Sequence, residues 1–235
     1  MKNTTLTRKL PALLLTLLGS QVALASAAGA QGLLNLFPAP PAPAQAAPAA
    51  PAPAPTPLQV EQKLATLMFD VGPADGTIDD QAKSAVMAFQ KVYGLARTGE
   101  LSDPVATQIL ATQAPPAPMA ASGEPNRIEI SLGRQVLFLY RNGSLHRILP
   151  VSSGTSDTPT PTGEYRIYRQ ESGWHTSRLG RLHNGQYFVG GYAIHGSTSV
   201  PAEPASHGCV RIPMSASEWF PSQVTKGMQV VIIPN

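Results

Sequence analysis

The chain has 235 residues, including 24 prolines and 20 glycines, which is room for one or two domains. Three of its 17 basic residues lie in the first nine positions, and the remaining 14 equal the 14 acidic residues in number. This balance leaves no overall basic surface, so we expect no nucleic-acid partner. A single cysteine, Cys209, excludes an intrachain disulfide.

The N-terminus has the layout of a secretory signal peptide. Basic residues at positions 2, 8 and 9 precede an apolar run over 10–18, and small residues over 23–30 fit an A-x-A cleavage pattern. The apolar run is shorter than the roughly 20 residues that span a bilayer. We therefore predict that residues 1–30 are removed on export, leaving no membrane span, and that the mature protein is in the periplasm or cell wall.

Two segments rich in alanine and proline predict linkers. Within 38–57 every residue except Gln45 and Thr56 is Pro or Ala, a composition that favours extended polyproline II. We assign 31–57 as an Ala/Pro-rich linker. A shorter stretch, 113–125, is expected to separate two folded units at 58–112 and 126–235.

The first unit is predicted to be a small three-helix module. Apolar residues recur at helical spacing from Val60 to Met68 and again from Ala82 to Tyr93. The unit contains no His or Cys, so binding is more plausible than chemistry. Its Asp75-Gly76 turn and the segment 85–90 resemble the peptidoglycan-binding module of bacterial wall enzymes. A helical spacer without a ligand is the alternative.

The second unit is predicted to be mainly β. Alternating or continuous apolar runs indicate strands, and Asn142-Gly143 is typical of a type I′ hairpin turn. Only residues 214–220, after Pro213, have a helical pattern. We expect an antiparallel, sandwich-like domain with one short helix. The predicted strands cover 127–132, 136–140, 145–151, 163–168, 186–194 and 228–233.

The residues that suggest chemistry lie within 15 positions. Two histidines, His195 and His207, precede the lone thiol of Cys209 along the chain. A thiol is mostly protonated at neutral pH, and a neighbouring imidazole can take that proton and leave a thiolate–imidazolium pair. Glycines at 196 and 208 would let the backbone approach a substrate closely. Amides near 207–209 could bind a developing oxyanion. Acyl transfer through a thioester fits this set.

Two other interpretations remain open at this point. His195, His207 and Cys209 could bind zinc with one position left for water, as in a zinc-dependent peptidoglycan hydrolase. Alternatively, the cluster could be structural, in a non-catalytic wall-binding protein. The remaining histidines are predicted to be surface residues: His146 in a strand, His175 after a tryptophan and His183 in a polar loop.

The pattern Ile-His-Gly followed by Ser-His-Gly-Cys-Val-Arg resembles the L,D-transpeptidase (YkuD-type) catalytic domain over 126–235. The resemblance implies that Cys209 is the nucleophile and His195 the base, oriented by a backbone carbonyl. Arg211 matches an arginine that follows the motif and would bind substrate. A structural ion pair of Arg211 with Glu203 or Glu218 is the alternative. The implied oxyanion and acyl site contains Gly196, Ser206, His207 and Gly208.

Enzymes of this family take an acyl group from a peptidoglycan stem peptide and pass it to an amine. The expected activity is therefore cross-linking or editing of the wall, or attachment of proteins to it. The expected partners are stem peptides, as acyl donor and acceptor, together with wall-anchored proteins. The resemblance implies neither a metal nor another cofactor.

Overall fold

The computed structural model describes residues 53–120, 123–177 and 180–234. The predicted signal peptide and most of the first predicted linker lie outside the described residues. Within the described ranges, no helix combines the length and apolar character needed to cross a membrane.

The predicted three-helix module is confirmed. Thr56 caps the first helix with a capping box, and Asp79 caps the second by accepting a hydrogen bond from the Ala82 amide at 2.8 Å. The Asp75-Gly76 turn is held by Glu61, whose carboxylate accepts from the Gly76 amide at 2.6 Å. The helices are α1 (Pro57–Thr66), α2 (Asp80–Val92) and α3 (Asp103–Ala111).

The rest of the described chain forms the β domain, 126–234, with two five-stranded sheets and one further helix, α4 (Met214–Gln223). The first sheet has the order β3-β2-β1-β10-β4. The second has the order β5-β7-β8-β9, with β6 also paired to β7. The strands are β1 (Arg127–Ser131), β2 (Val136–Arg141), β3 (Ser144–Pro150), β4 (Gly163–Arg166), β5 (Arg169–Gln170), β6 (Trp174–Ser177), β7 (Gly180–Val189), β8 (Tyr192–Ser197), β9 (Val210–Pro213) and β10 (Gln229–Ile233).

This architecture confirms a mainly β, sandwich-like domain with one short helix. Two pairs, β1 with β10 and β8 with β9, are parallel, while the other pairs are antiparallel. Asn142 and Gly143 both have positive φ, 51° and 80°, as the predicted type I′ turn requires. The single strand predicted over 186–194 is wrong, because Gly190-Gly191 turns the chain between β7 and β8.

Strands β1 and β2 of the first sheet are buried on both faces. One face, with Ile128, Leu137 and Leu139, packs in a common core with the second sheet and α4. The opposite face, with Phe138 and Ile148, packs in a second core with the helical module. A strand covered on both sides needs apolar residues at successive positions, which accounts for the continuous run from Val136 to Tyr140.

Backbone hydrogen bonds also join the module to the sheet. The Ile148 amide donates to the Met68 carbonyl at 2.7 Å, and the Asp70 amide donates to the Ile148 carbonyl at 3.2 Å. These bonds place Phe69 beside Ile148 in a parallel bridge. The module is therefore packed directly on the β domain.

Candidate active site

Cys209 and His195 lie on neighbouring strands of the second sheet. Cys209 immediately precedes β9, and His195 lies within β8. The parallel register pairs Ile194 with Val210 and His195 with Arg211. Both candidate side chains therefore line one cleft, of about 410 Å³. The structure thus brings together residues that are 14 positions apart in the chain.

The His195 ring is oriented by the neighbouring backbone. Its Nδ1 lies 2.8 Å from the Gly196 carbonyl oxygen. Because a carbonyl only accepts, Nδ1 carries the hydrogen and Nε2 is left as the acceptor in the neutral ring. The side chain is only 5 % exposed. Burial, together with the nearby Arg211 cation, lowers the pKa of His195 and keeps the imidazole neutral.

The Cys209 thiol lies against an apolar cluster of Leu182, Tyr187 and Ala193. Burial raises its pKa, outweighing the Ala193 backbone amide and the Arg211 guanidinium, which both favour the thiolate. The pKa of His195 is lowered and the pKa of Cys209 is raised. Both shifts favour a neutral thiol and a neutral imidazole in the resting site. The sequence had pointed to a thiolate–imidazolium pair, and burial accounts for the difference.

Ser206 fixes the turn that presents the cysteine. Its hydroxyl donates to the Cys209 carbonyl at 2.5 Å and accepts from the Gly208 amide at 3.1 Å. The Gly208 amide thus already has a partner, and an oxyanion would have to displace Ser206 to use it. The exposed ring of His207 lines the same cleft.

The two glycines of the motif are required by packing within the protein. A Cβ at Gly196 would lie 2.3 Å from the Ser217 hydroxyl of α4, and one at Gly208 would lie 2.2 Å from the Tyr192 ring. Gly208 also has φ +105°, a region that side chains rarely adopt. Both glycines are therefore needed for close packing around β8 and the turn before β9.

A segment after β3 supports the cysteine turn from the other side. The Thr160 hydroxyl donates to the Gly208 carbonyl at 2.9 Å and accepts from the Gly154 amide at the same distance. Ser152 pairs with Arg211 through two backbone hydrogen bonds of 3.0 and 3.1 Å. These contacts fix Arg211 and Gly208 on either side of Cys209.

Basic side chains from three elements line the cleft. Arg211 comes from β9, Arg169 from β5 and Arg181 from β7. The two carboxylates considered as structural partners of Arg211 are engaged elsewhere: Glu203 with Arg97 at 3.0 Å and Glu218 near His183 at 3.9 Å. Neither of these two carboxylates is paired with Arg211 in the described part of the chain.

Sequence reasoning missed Arg169 and Arg181, as well as the cleft position of His175. No motif marks these residues, because their approach to Cys209 depends on the pairing of β5 and β6 with β7. The prediction that His183 lies in a surface loop is wrong. It is a β7 residue, 8 % exposed, whose Nδ1 lies 2.9 Å from the Ser217 hydroxyl.

The donor set for a metal is sparse. Within the described part of the chain, no group of three or more His, Cys, Asp or Glu side chains converges closely enough to hold a metal ion. His195, His207 and Cys209 share the cleft but do not form such a group.

Comparison with known proteins assigns the domains. A family model of the L,D-transpeptidase catalytic domain matches residues 125–232, and one of a peptidoglycan-binding domain matches 54–109. The crystal structure of an L,D-transpeptidase from Xylanimonas cellulosilytica matches at 34 % identity and a TM-score of 0.70, covering 78 % of this chain and 100 % of that one. The chain belongs to the L,D-transpeptidase family.

A second L,D-transpeptidase structure, from Stackebrandtia nassauensis, is 26 % identical, with a TM-score of 0.48 and coverage of 76 % of this chain and 90 % of the other. The comparison with curated proteins found no match. The two family models make the protein an L,D-transpeptidase with an N-terminal peptidoglycan-binding domain, and both domains point to peptidoglycan.

The protonation state of this L,D-transpeptidase's thiol can be measured directly. Since burial raises the Cys209 pKa, we expect alkylation of the free enzyme by iodoacetamide to be slow at pH 7. The rate should rise with a midpoint above the ordinary thiol value of about 8.5. Measuring the alkylation rate at a series of pH values, with the reaction quenched at fixed times, gives this midpoint. A midpoint below 7 would show that a thiolate–imidazolium pair exists before substrate binds.

Proposed function

We propose that this L,D-transpeptidase transfers an acyl group through a thioester on Cys209. The single observation that carries the proposal is that the Cys209 thiol lines the same cleft as His195, whose Nδ1–H is engaged by the Gly196 carbonyl. That bond leaves Nε2 as the proton acceptor for a thiol that is protonated at rest. The catalytic cleft itself therefore contains a nucleophile and a base.

The first half-reaction loads the enzyme. As Sγ of Cys209 attacks the carbonyl of the diamino-acid residue at its L-centre, its proton passes to Nε2 of His195. The bond from that carbonyl to the terminal D-residue then breaks, and the proton on His195 leaves with the released amine. The product is a thioester and a free D-amino acid.

The second half-reaction reverses these roles. The acceptor is an amine of another stem peptide, which gives up a proton to His195 as it attacks the thioester carbon. The new amide bond forms, the carbon–sulfur bond breaks, and the thiol regains its proton. The result is a cross-link. Water as acceptor would give carboxypeptidase activity, and a protein lysine would attach that protein to the wall.

The charges around the cleft support an anionic donor. Arg211, Arg169 and Arg181 all line it, and stem peptides carry several carboxylates. The Arg169 guanidinium is held 3.7 Å over the Tyr187 ring and 3.0 Å from Glu171, while Arg181 stacks over Trp174. Among the described residues, Arg211 has no such ring stacking and no carboxylate pair, and we assign it to the donor carboxylate.

Export places the enzyme with its substrate. Two peptidoglycan-acting domains point to the cell wall or periplasm, and we propose that residues 1–30 direct export there.

The decisive test is incubation of the protein with purified muropeptides, followed by mass spectrometry of the products. We expect release of the terminal D-residue and formation of a dimer, both unaffected by a chelator. Hydrolysis alone would identify a carboxypeptidase. Activity lost on chelation would indicate a zinc hydrolase, and no turnover by folded protein would indicate a wall-binding protein without catalysis.

Arg211→Lys tests the substrate-binding assignment. Lysine keeps the charge but loses the two-pronged hydrogen bonding of the guanidinium. We expect the donor KM to rise about tenfold, the value of one charge-assisted hydrogen bond, with an unchanged melting temperature. A large fall in melting temperature with unchanged kinetics would make Arg211 a structural residue instead.

A further inference from the structure

A lysine of the peptidoglycan-binding module is inserted into the catalytic domain. Lys91, in the last turn of α2, is only 1 % exposed. Its Nζ donates to the Val151 carbonyl at 2.8 Å and lies 3.5 Å from the Pro201 carbonyl. Buried lysines are rare unless their donors find such partners. The side chain thus ties the module to two separate segments of the catalytic domain.

A second cation of the module contacts the same region. Arg97, in the loop after α2, donates from Nη1 to both carboxylate oxygens of Glu203, at 3.0 and 3.1 Å. Its Nη2 donates to the Gly133 carbonyl at 2.9 Å. Pro201 and Glu203 both belong to the loop 198–205, which connects β8 to the cysteine turn. The module therefore contacts this active-site loop at two points.

The loop passes these constraints directly to the catalytic turn. The Ala205 and Ser206 amides both donate to the Ser153 carbonyl, at 3.0 and 2.9 Å. The Ser152 hydroxyl donates to the Glu203 carbonyl at 2.8 Å. Val151, the other acceptor of Lys91, immediately precedes these two serines. Lys91 therefore joins the segment 151–153 to the loop that leads into Ser206 and Cys209.

We infer that Lys91 is a positioning residue, through which the peptidoglycan-binding module holds the 198–205 loop, and with it the Cys209 turn, in the geometry for acyl transfer. This inference rests on the proposed role of Cys209. Lys91 does not line the catalytic cleft, so it acts only through the loop. The module is then part of the catalytic unit as well as a wall-binding domain.

Stability alone does not account for a lysine at this position. Burial and the nearby Arg97 lower its pKa to about 7, opposed by Glu203. An unfolded lysine keeps its proton to about pH 10.4, so the unfolded state binds more protons between about pH 7 and that value. Stability therefore rises with pH across this window, and the full cost of the buried charge applies below pH 7. An apolar side chain would avoid that cost.

Lys91→Met is the direct test, and the assay uses a donor muropeptide as the substrate that acylates the enzyme. We expect a melting temperature at pH 6 equal to or above that of the parent enzyme, since the buried charge is gone. The kcat should fall at least about tenfold, because misplacement of a reacting group by 1 Å can cost on the order of 10²-fold. The donor KM should change little. The matched control is Lys83→Met, which removes an exposed lysine of α2 that pairs with Asp80 and should change neither kcat nor KM.

Arg97→Gln provides an independent variant, because its partly exposed side chain contacts the loop at the surface. We expect a smaller fall in kcat than in Lys91→Met, with an unchanged KM. Arg97→Gln serves as the test if Lys91→Met does not fold. A kcat in folded Lys91→Met equal to that of the parent enzyme would overturn the inference and leave the thioester mechanism intact. If Lys91→Met does not fold, an unchanged kcat in Arg97→Gln would have the same meaning. Absence of acylation in the parent enzyme would instead overturn the proposed function.

Discussion

Cys209→Ser is expected to abolish transpeptidation of muropeptides. A serine hydroxyl is far less acidic than a thiol, and the His195 pKa is lowered by burial, so the imidazole is too weak a base to activate it at neutral pH. The loss should exceed about 10³-fold, as for other enzymes that lose a nucleophile. Product formation followed by mass spectrometry measures the effect.

The folded state of this variant provides the control. Serine is close in size to cysteine and would occupy the same place against Leu182, Tyr187 and Ala193. The melting temperature should therefore stay close to that of the parent protein. A folded Cys209→Ser enzyme that still forms dimers would require a different nucleophile.

His195→Ala is expected to lower the rate of Cys209 acylation by about 10²–10⁴-fold, the usual contribution of general-base catalysis. The thiol pKa is already raised by burial, so without the His195 base almost no thiolate forms at pH 7. Single-turnover acylation by a carbapenem or a donor muropeptide gives the rate constant without interference from later steps.

His207→Ala is the matched comparison. Its ring is exposed at the cleft, and the adjacent turn is held by Ser206 through backbone groups. We therefore expect a smaller loss, through the shape of the acyl site. The assignment of the base is wrong if His207→Ala loses acylation while His195→Ala keeps it.

The sequence allowed the helical module, the mainly β domain and the grouping of His195 with Cys209 to be predicted because their signals are local. Helical spacing in the module, the Asn142-Gly143 turn and the motif around Cys209 each depend on neighbouring residues. The bond from His195 to the Gly196 carbonyl, expected from the family resemblance, is also between adjacent residues and is present.

The packing of the module on the first sheet could not be predicted as readily. The apolar run of β2 indicated a buried strand, yet it could not identify Phe69 and Phe89 as part of the covering layer. Likewise, no sequence motif marks Lys91 or Arg97. Their contacts join residues between 36 and 110 positions apart.

The pKa of the thiol depends on residues distant in the chain for a related reason. Local sequence places Arg211 two positions from Cys209, which favours the thiolate. The opposing effect comes from apolar neighbours in β7 and β8 that only the sheet brings together. Burial is a property of the whole fold, so a motif alone does not predict its effect on a pKa.

Peptide mass mapping of the enzyme after reaction with a donor muropeptide or a carbapenem tests the central claim most directly. The thioester mechanism predicts one covalent adduct, as a mass increase on the peptide that contains Cys209, absent in Cys209→Ser. An adduct on another peptide, or none in a folded and otherwise active protein, would contradict it.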